Sequence, residues 1–165
     1  MKFISEGTKS ILFGAHSPIH SILVTIAWYK VYGNWPTWKE LICIFLHDIG
    51  YIGTNYITDK SNAGHAELGT RLVHRWFGAY YGHLILGHSS SARLKFGIPV
   101  SKLELPDDYS WVIAPMWWLH WNNWLEGFDV PPSVWKQAMK TKVESKNMIS
   151  GTDLFHYLKE NNDAK

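Results

Sequence analysis

The sequence predicts an all-α protein that folds as a single domain over residues 1–165. Apolar residues recur at helical spacing in several segments, and serine, threonine, proline or glycine stands where such helices would begin and end. No segment alternates apolar and polar residues in the way that is typical of a half-buried strand. We therefore expect a bundle of about six to seven helices, with its core at about 16–125 and a helical extension at about 131–162.

Capping and turn residues predict where the helices begin and end. Ser17-Pro18 would start a helix that Gly33 ends, and Thr37 with Glu40 forms a capping-box pattern for a second helix that ends at Gly50. A loop is expected at 51–62, and the remaining predicted helices lie at about 63–77, 80–90 and 106–127, then from 131 onward and around 152–159. Pro115 should kink the helix at 106–127.

Composition and charge exclude several classes of protein. A hydrophobic content of 46% with 18% charged residues is typical of a globular domain. The net charge of +2, without a stripe of Lys and Arg, argues against bulk nucleic-acid binding. The single cysteine, Cys43, excludes an internal disulfide and fits a reducing compartment. No apolar stretch reaches the roughly 18 residues of a spanning helix and the N-terminus lacks a signal-peptide layout, so we expect a cytoplasmic protein without a membrane partner.

Histidine and aspartate residues occupy helix ends and helix faces in apolar surroundings. His47-Asp48 closes the apolar run that begins at Leu41. An imidazole and a carboxylate are costly at the end of a buried segment unless a partner satisfies them, and a divalent metal satisfies both at once. Further candidate ligands stand on or beside other predicted helices: His16, His20, His65, His88 and Asp107. A helical bundle presents metal ligands inward from several helices in this way.

In order and spacing, these elements resemble the HD-domain metal-dependent phosphohydrolases over about residues 16–112. The matching elements are His20-Ser21-Ile22-Leu23-Val24, His47-Asp48-Ile49-Gly50, His65-Ala66-Glu67-Leu68-Gly69, His88, and Ser101-Lys102-Leu103 followed by Asp107. A single element of this kind would be a weak signal, whereas five in order are specific.

The resemblance implies a dinuclear metal site and a hydrolytic reaction. One ion would be held by His20, His47, Asp48 and Asp107, and Asp48 would bridge to a second ion held mainly by His65 and His88. Two divalent ions are expected from Mn, Fe, Mg, Co or Ni, with Zn less typical. The implied reaction is hydrolysis of a phosphate mono- or diester, with a nucleotide among the candidate substrates, by a metal-bound hydroxide.

Two positions leave alternatives open. His16 competes with His20 as the first ligand, and Ser21 and Val24 favour His20 because they complete the family pattern. Tyr51 stands where these phosphohydrolases often carry a lysine. The mixed-valent di-iron oxygenases, a smaller branch of the same fold, use the same ligands and tend to lack that lysine, so an oxygenase acting on a small polar substrate is the alternative. A metal-binding module without catalysis is a third hypothesis, which the intact ligand set disfavours.

Residues near these ligands are candidates for catalysis and substrate binding. Arg93 and Lys95, which follow His88 and Ser89, would clamp an anionic substrate or belong to a solvated loop. Glu67 is a candidate general base, or a residue that holds a ligand in place. The other substrate candidates are Tyr51, Lys60 and His120, the last of which we expect to be buried among the tryptophans at 111–124. Exposed tryptophan faces would favour a homodimer.

Overall fold

A computed structural model describes residues 4–55 and 64–146. Lys60 and the helix predicted around 152–159 lie outside these residues, as does the end of the extension predicted at 131–162. Within the described residues the structure is all-helical and contains no strand, which confirms the predicted all-α class. The expected count of six to seven helices was wrong, because the described residues alone form nine α-helices.

The described helices are numbered α1 to α9 in chain order. They are α1 (Glu6–Phe13), α2 (Pro18–Tyr32), α3 (Trp38–Leu46), α4 (Gly64–Phe77), α5 (Ala79–Leu86), α6 (Ser90–Phe96), α7 (Glu104–Ile113), α8 (Met116–Glu126) and α9 (132–146). A short 3-10 turn, Ile49–Tyr51, follows α3. None of the described helices is both long and apolar enough to cross a membrane alone, and α1 and α2 reach such a length only together, across a bend of 57°.

The predicted start and stop signals of α2 and α3 are confirmed. Ser17 is the N-cap of α2 with Pro18 in the first turn, and Gly33 ends the helix in the left-handed region at φ 71°. Thr37 and Glu40 form the predicted capping box at the start of α3.

The prediction that α3 runs to Gly50 was wrong, because α3 ends at Leu46 and Gly50 lies in the 3-10 turn. Gly50 serves a close backbone approach instead. A Cβ there would lie 2.2 Å from the backbone oxygen of His65, and a Cβ on Gly69 would lie 2.2 Å from that of Leu46. Both glycines therefore let α4 lie directly against the chain that carries His47 and Asp48.

The prediction of one kinked helix from Pro106 to Gly127 was also wrong. The segment forms α7 and α8, which are separated at Ala114 and Pro115. Proline has no N–H for the helical ladder and pushes the residue before it out of the helical region, and Ala114 is accordingly extended at ψ 135°. The break is complete, so α8 takes its own direction.

The helix predicted at about 80–90 is shorter than expected, and a separate helix follows it. Gly87 is the C-cap of α5. The Ser89 side chain then accepts a hydrogen bond from the backbone N–H of Ala92 and caps α6, a helix that the sequence did not predict. Serine is among the preferred capping residues, so Ser89 marks the start of a new helix.

The main core lies where α2, α3, α4, α5 and the start of α7 meet. Its buried residues are Val24, Trp28, Cys43, Ile44, Ala66, Val73, Leu84, Ile85 and Leu103. Helix α4 packs along α5, and α2 packs along α7. A second cluster of Ala114, Trp118 and Leu119 packs against Leu23 and Trp111. The ends of α2, α3, α5 and α7 thereby converge on one buried polar site.

Candidate metal centre

His47 and Asp48 lie at the C-terminal end of α3 and are 1% and 7% exposed. The Nδ1 atom of His47 lies 2.6 Å from the backbone oxygen of Ile44, so Nδ1 carries the proton and donates it to that carbonyl. The other ring nitrogen, Nε2, lies 3.0 Å from Oδ2 of Asp48 and 3.6 Å from Oδ1 of Asp107. In neutral His47 this nitrogen is an acceptor that faces two carboxylates.

His20 on α2 meets Asp107 on α7 because these two helices pack along each other. Nε2 of His20 lies 3.0 Å from Oδ1 of Asp107 and 3.6 Å from Oδ2 of Asp48. On the other side of the ring, Nδ1 lies 3.4 Å from Oγ of Ser110, whose hydroxyl donates to the backbone oxygen of Asp107 at 2.6 Å. Ser110 therefore accepts from Nδ1–H and turns Nε2 towards the carboxylates.

His88 reaches the opposite oxygen of the Asp48 carboxylate. Its Nδ1 atom donates to the backbone oxygen of Ile85, one turn earlier in the chain. Its Nε2 atom lies 3.7 Å from Oδ1 of Asp48. Asp48 thus presents Oδ2 to His20 and His47 and presents Oδ1 to His88.

His65 and His16 lie at the edge of this cluster, on either side of Tyr51. The Tyr51 ring stacks on the His65 ring at 4.9 Å and packs against the His16 ring at 4.3 Å. The His65 ring lies 5.5 Å from the His88 ring. Nε2 of His16 lies 4.0 Å from Oδ2 of Asp48, which is farther than Nε2 of His20.

Among the residues that the structure describes, two groups have donor atoms within 4.8 Å of one another. They are His20 with His47 and Asp107, and His47 with Asp48 and His88. Neither group includes His65 or His16. The structure therefore brings five of the six predicted ligands into these groups and leaves His65 beside them.

The donor set fits a divalent cation. Nε2 of His47 and Oδ1 of Asp107 are buried and have no hydrogen-bond partner among residues 4–55 and 64–146, although leaving such an atom unpaired costs about 1–3 kcal/mol. Two acceptors that face each other at these distances require a cation or a proton between them. Ligand atoms about 2.1 Å from one ion lie roughly 3.0 Å apart in octahedral and roughly 3.4 Å apart in tetrahedral geometry. The spacings of 3.0–3.7 Å in the cluster are close to both values.

The pKa values of the cluster also indicate that a positive charge is favoured between its carboxylates. Burial disfavours the charged form of His47, but Asp48 and Asp107 outweigh burial and raise the pKa of His47 well above its usual value. Burial would likewise raise the pKa of Asp48 and of Asp107, but the surrounding imidazoles lower both well below their usual value. Ionised carboxylates therefore hold a proton on His47 when no metal is bound.

His16 is oriented by a chain of hydrogen bonds through Ser10 on α1 to Glu126 on α8. Nδ1 of His16 lies 2.7 Å from Oγ of Ser10, and the Ser10 hydroxyl donates to Oε1 of Glu126 at 2.6 Å. The backbone N–H of Ala15 donates to the same Glu126 oxygen at 2.7 Å. Burial lowers the pKa of His16 to about 4, with Asp48 opposing the shift. The ring is therefore neutral at physiological pH and turns the lone pair of Nε2 towards Asp48.

The candidate cations close to the cluster in sequence have carboxylate partners. Nη2 of Arg93 donates to Oε1 of the buried Glu104 at 2.6 Å. Nζ of Lys95 donates to Oε1 of Glu67 at 2.7 Å, and both of these side chains are partly exposed. The roles of Arg93, Lys95 and Glu67 in binding or catalysis stay predictions, as does that of Ser89.

The expectation that His120 is buried among indoles was wrong, because His120 is exposed on α8. One face of α8, formed by Trp118, Leu119 and Asn122, turns inward. Trp117, Trp121 and Trp124 are on the exposed side with His120, and Trp124 is 73% exposed. The helical period thus divides the tryptophans of this segment between core and surface.

Three residues that orient imidazoles were missed by sequence reasoning. Ser110 lies three residues after Asp107, and this spacing within a helix could have indicated a shared face. Ser10 and Glu126 are 116 residues apart, so no local pattern connects them to each other or to His16.

Comparison with family models, with curated proteins and with solved structures finds no significant match to this chain.

Proposed function

We propose that this protein is a dinuclear metal-dependent phosphohydrolase of the HD type, which hydrolyses a phosphate mono- or diester. The observation that carries the proposal is the division of the Asp48 carboxylate, whose Oδ2 faces His20 and His47 while its Oδ1 faces His88. A carboxylate with imidazoles on both of its oxygens can be shared by two cations. Two-metal hydrolytic sites use such a bridge to hold ions about 3.5–4 Å apart.

The residues divide into two sets of ligands around Asp48. His20, His47 and Asp107 would hold one ion, and His88 would hold the other, with His65 beside it. When bound, divalent ions would lower the pKa of a water ligand and take up negative charge that develops on a phosphoryl group.

The protein itself orients these imidazoles through their Nδ1 atoms and shields them from solvent. The backbone oxygens of Ile44 and Ile85 fix the Nδ1–H tautomers of His47 and His88. The indole of Trp111 lies 5.2 Å from the His20 ring, and that of Trp118 stacks on the same ring at 6.4 Å. Burial of the ligands would strengthen the attraction between the cations and an anionic substrate.

A di-iron oxygenase is the second candidate function, and Tyr51 favours it. The Tyr51 side chain is buried between His16 and His65, at the position where phosphohydrolases of the HD type often carry a lysine for the phosphate. Since Arg93 and Lys95 have carboxylate partners, a phosphate would have to compete with Glu104 and Glu67 for them.

Metal analysis together with an esterase assay tests the proposal. We expect the purified protein, loaded with Mn²⁺, to hydrolyse p-nitrophenyl phosphate or bis(p-nitrophenyl) phosphate. The variant Asp107→Asn should lose this activity, whereas Asp129→Asn, at an exposed position of the same residue type, should retain it. Two bound irons with a mixed-valent electron-spin signal, and no esterase activity with Mn²⁺, would reject the phosphohydrolase function and support the oxygenase function.

A further inference from the structure

A cavity of about 410 Å³ lies beside the metal centre, between the connection from α1 to α2 and the helices α7, α8 and α9. His16 lines it on the side of the metal centre, where Nε2 of His16 lies 4.0 Å from Asp48. Trp111, which packs against His20, lines it as well. The volume falls within the roughly 300–1,000 Å³ of small-molecule sites. A ligand in this cavity would therefore lie next to the residues that hold the ions.

The Asn122 side chain lines the cavity and is buried without a hydrogen-bond partner. Asn122 is 3% exposed, and neither its Oδ1 nor its Nδ2 atom has a partner within the described part of the chain. An amide offers one acceptor and two donors side by side, and leaving both ends unpaired is costly. Leucine would fill a similar volume without that cost, so the amide points to a ligand that has a donor next to an acceptor.

The other walls suit a flat ring. Trp111, Phe128 and Trp135 contribute aromatic surface, and the indoles of Trp111 and Trp135 meet edge to face at 6.0 Å. Lys142 also lines the cavity, but its Nζ atom is paired with Oδ1 of Asp108 at 2.6 Å. The cavity also includes Asn123, whose Nδ2 donates to the backbone oxygen of Val130. The cavity therefore offers stacking surfaces and the unpaired amide of Asn122, and its lysine is already neutralised.

We propose that this cavity binds the nucleobase of a nucleotide substrate, and that Asn122 reads the donor-and-acceptor edge of that base. Asparagine pairs with adenine through two hydrogen bonds in this way in protein–DNA complexes, and aromatic side chains stack on nucleobases of every kind. The proposal rests on the proposed phosphohydrolase function, since it assigns the phosphate to the metal centre and the base to the cavity. Asn122 is then a specificity-determining residue of that reaction.

Nucleoside binding to the full-length, Mn²⁺-loaded protein tests the cavity apart from hydrolysis, because nucleosides carry no phosphate. Adenosine, guanosine, cytidine and uridine would be titrated by calorimetry, with naphthalene as a flat ring that lacks a polar edge. We expect at least one nucleoside to bind, and to bind more tightly than naphthalene. Asn122→Leu should weaken that nucleoside about tenfold or more, without lowering the midpoint of thermal unfolding.

Two further variants separate the cavity from general effects of substitution. Trp135→Leu, on the α9 side of the cavity, should also weaken the nucleoside, whereas Trp124→Leu, on the exposed face of α8, should leave it unchanged. The proposal is overturned if no nucleoside binds at millimolar concentration, if naphthalene binds as tightly, or if Asn122→Leu binds as wild type does. If the protein is an active esterase but gives any of these results, the proposed reaction stands and only the base site is rejected. Selective nucleoside binding without esterase activity supports the base site and rejects the reaction.

Discussion

The two oxygens of the Asp48 carboxylate differ in the candidate ligands that lie near each of them. On the Oδ2 side, His20, His47 and Asp107 all lie within 4.8 Å of one another and come from three helices that pack together. On the Oδ1 side, His88 lies 3.7 Å away, and His65 contributes a ring contact with His88 without joining a donor group. The two groups share His47, so an ion on the Oδ2 side would draw on three residues, whereas an ion on the Oδ1 side would draw mainly on Asp48 and His88.

The difference predicts that the two ions bind with unequal affinity. Oriented ligands lose little conformational freedom when an ion binds, so the side that supplies more of them should hold its ion more tightly. We expect one ion to bind tightly between α2, α3 and α7 and the second to bind more weakly beside α4 and α5. The predictions below test this asymmetry, from the largest expected effect to the smallest.

Asp48→Asn should have the largest effect because Asp48 faces both groups of imidazoles. We expect the loss of the weaker ion and a fall in esterase activity of more than about 100-fold, beyond the range for residues that only support a ligand. Metal content and kcat/KM would be measured together. A variant that keeps two ions at wild-type affinity would contradict the bridging role.

His20→Ala and His88→Ala should differ in the ion that they remove. We expect His20→Ala to abolish the tight site, and His88→Ala to leave one tightly bound ion while activity is lost. Competition with a chelator, followed by metal analysis, distinguishes the two outcomes. His74→Ala, at an exposed histidine of α4, serves as the control. Equal loss of metal in both variants would show that the two sides are not separate sites.

Ser110→Ala should weaken the tight site only, because the Ser110 hydroxyl accepts from Nδ1–H of His20. Removal of such a partner typically costs about 10–100-fold in metal affinity or activity. The affinity of the tight ion, measured by calorimetry, should fall by this amount while the weaker ion is less affected. An unchanged affinity would show that packing against Trp111 and Trp118 alone is enough to orient the ring.

Metal affinity should rise with pH, by up to about tenfold per pH unit for each proton displaced. Because the pKa of His47 is raised, the metal-free protein holds a proton there that the tight ion must displace. The same proton stabilises the metal-free fold at low pH, and this contribution is lost as the pH rises through the raised pKa of His47. The lowered pKa values of Asp48 and Asp107 act only in the acid range. Calorimetry in buffers with different heats of ionisation counts the released protons, and the absence of release at neutral pH would contradict this scheme.

Gly50→Ala should have the smallest effect on metal binding and should act on the weaker ion. A Cβ at this position would collide with the backbone of His65, so α4 must shift, at a cost of about 1–3 kcal/mol in stability. Gly33→Ala is the comparison, because φ is 71° there and no neighbour lies within 4 Å. That variant should lose stability through backbone strain and leave both ions unaffected. Equal metal binding in the two variants would show that the contact between Gly50 and the His65 backbone does not affect the metal centre.

The features that sequence reasoning predicted are those that depend on neighbouring residues. Ser17-Pro18, Gly33 and the capping box of Thr37 and Glu40 act within a turn, so their effect on the helix could be predicted from spacing alone. The break at Pro115 was underestimated because a proline can either kink or end a helix, and packing decides between them. Only the fold shows which outcome applies.

The candidate ligands could be selected from the sequence because their residue types are costly to bury unless they are paired. Their division around Asp48 could not, since it depends on which carboxylate oxygen faces which helix. The hydrogen bonds that link His16 to Ser10 and Glu126 join residues from opposite ends of the described chain. The unpaired amide of Asn122 is likewise visible only after α8 has been placed in the fold.

Along the chain, the candidate ligands and the cavity walls occupy largely different stretches. The ligands lie at 20–107, whereas most residues that line the cavity lie at 108–142. Helix α9, which supplies Trp135, Met139 and Lys142 to the cavity, contributes no candidate ligand. Mutations in α8 and α9 could therefore change what the cavity accepts while the ligand helices keep their sequence. This arrangement would allow new ligand preferences to evolve, or to be selected in a library, without rebuilding the reactive centre.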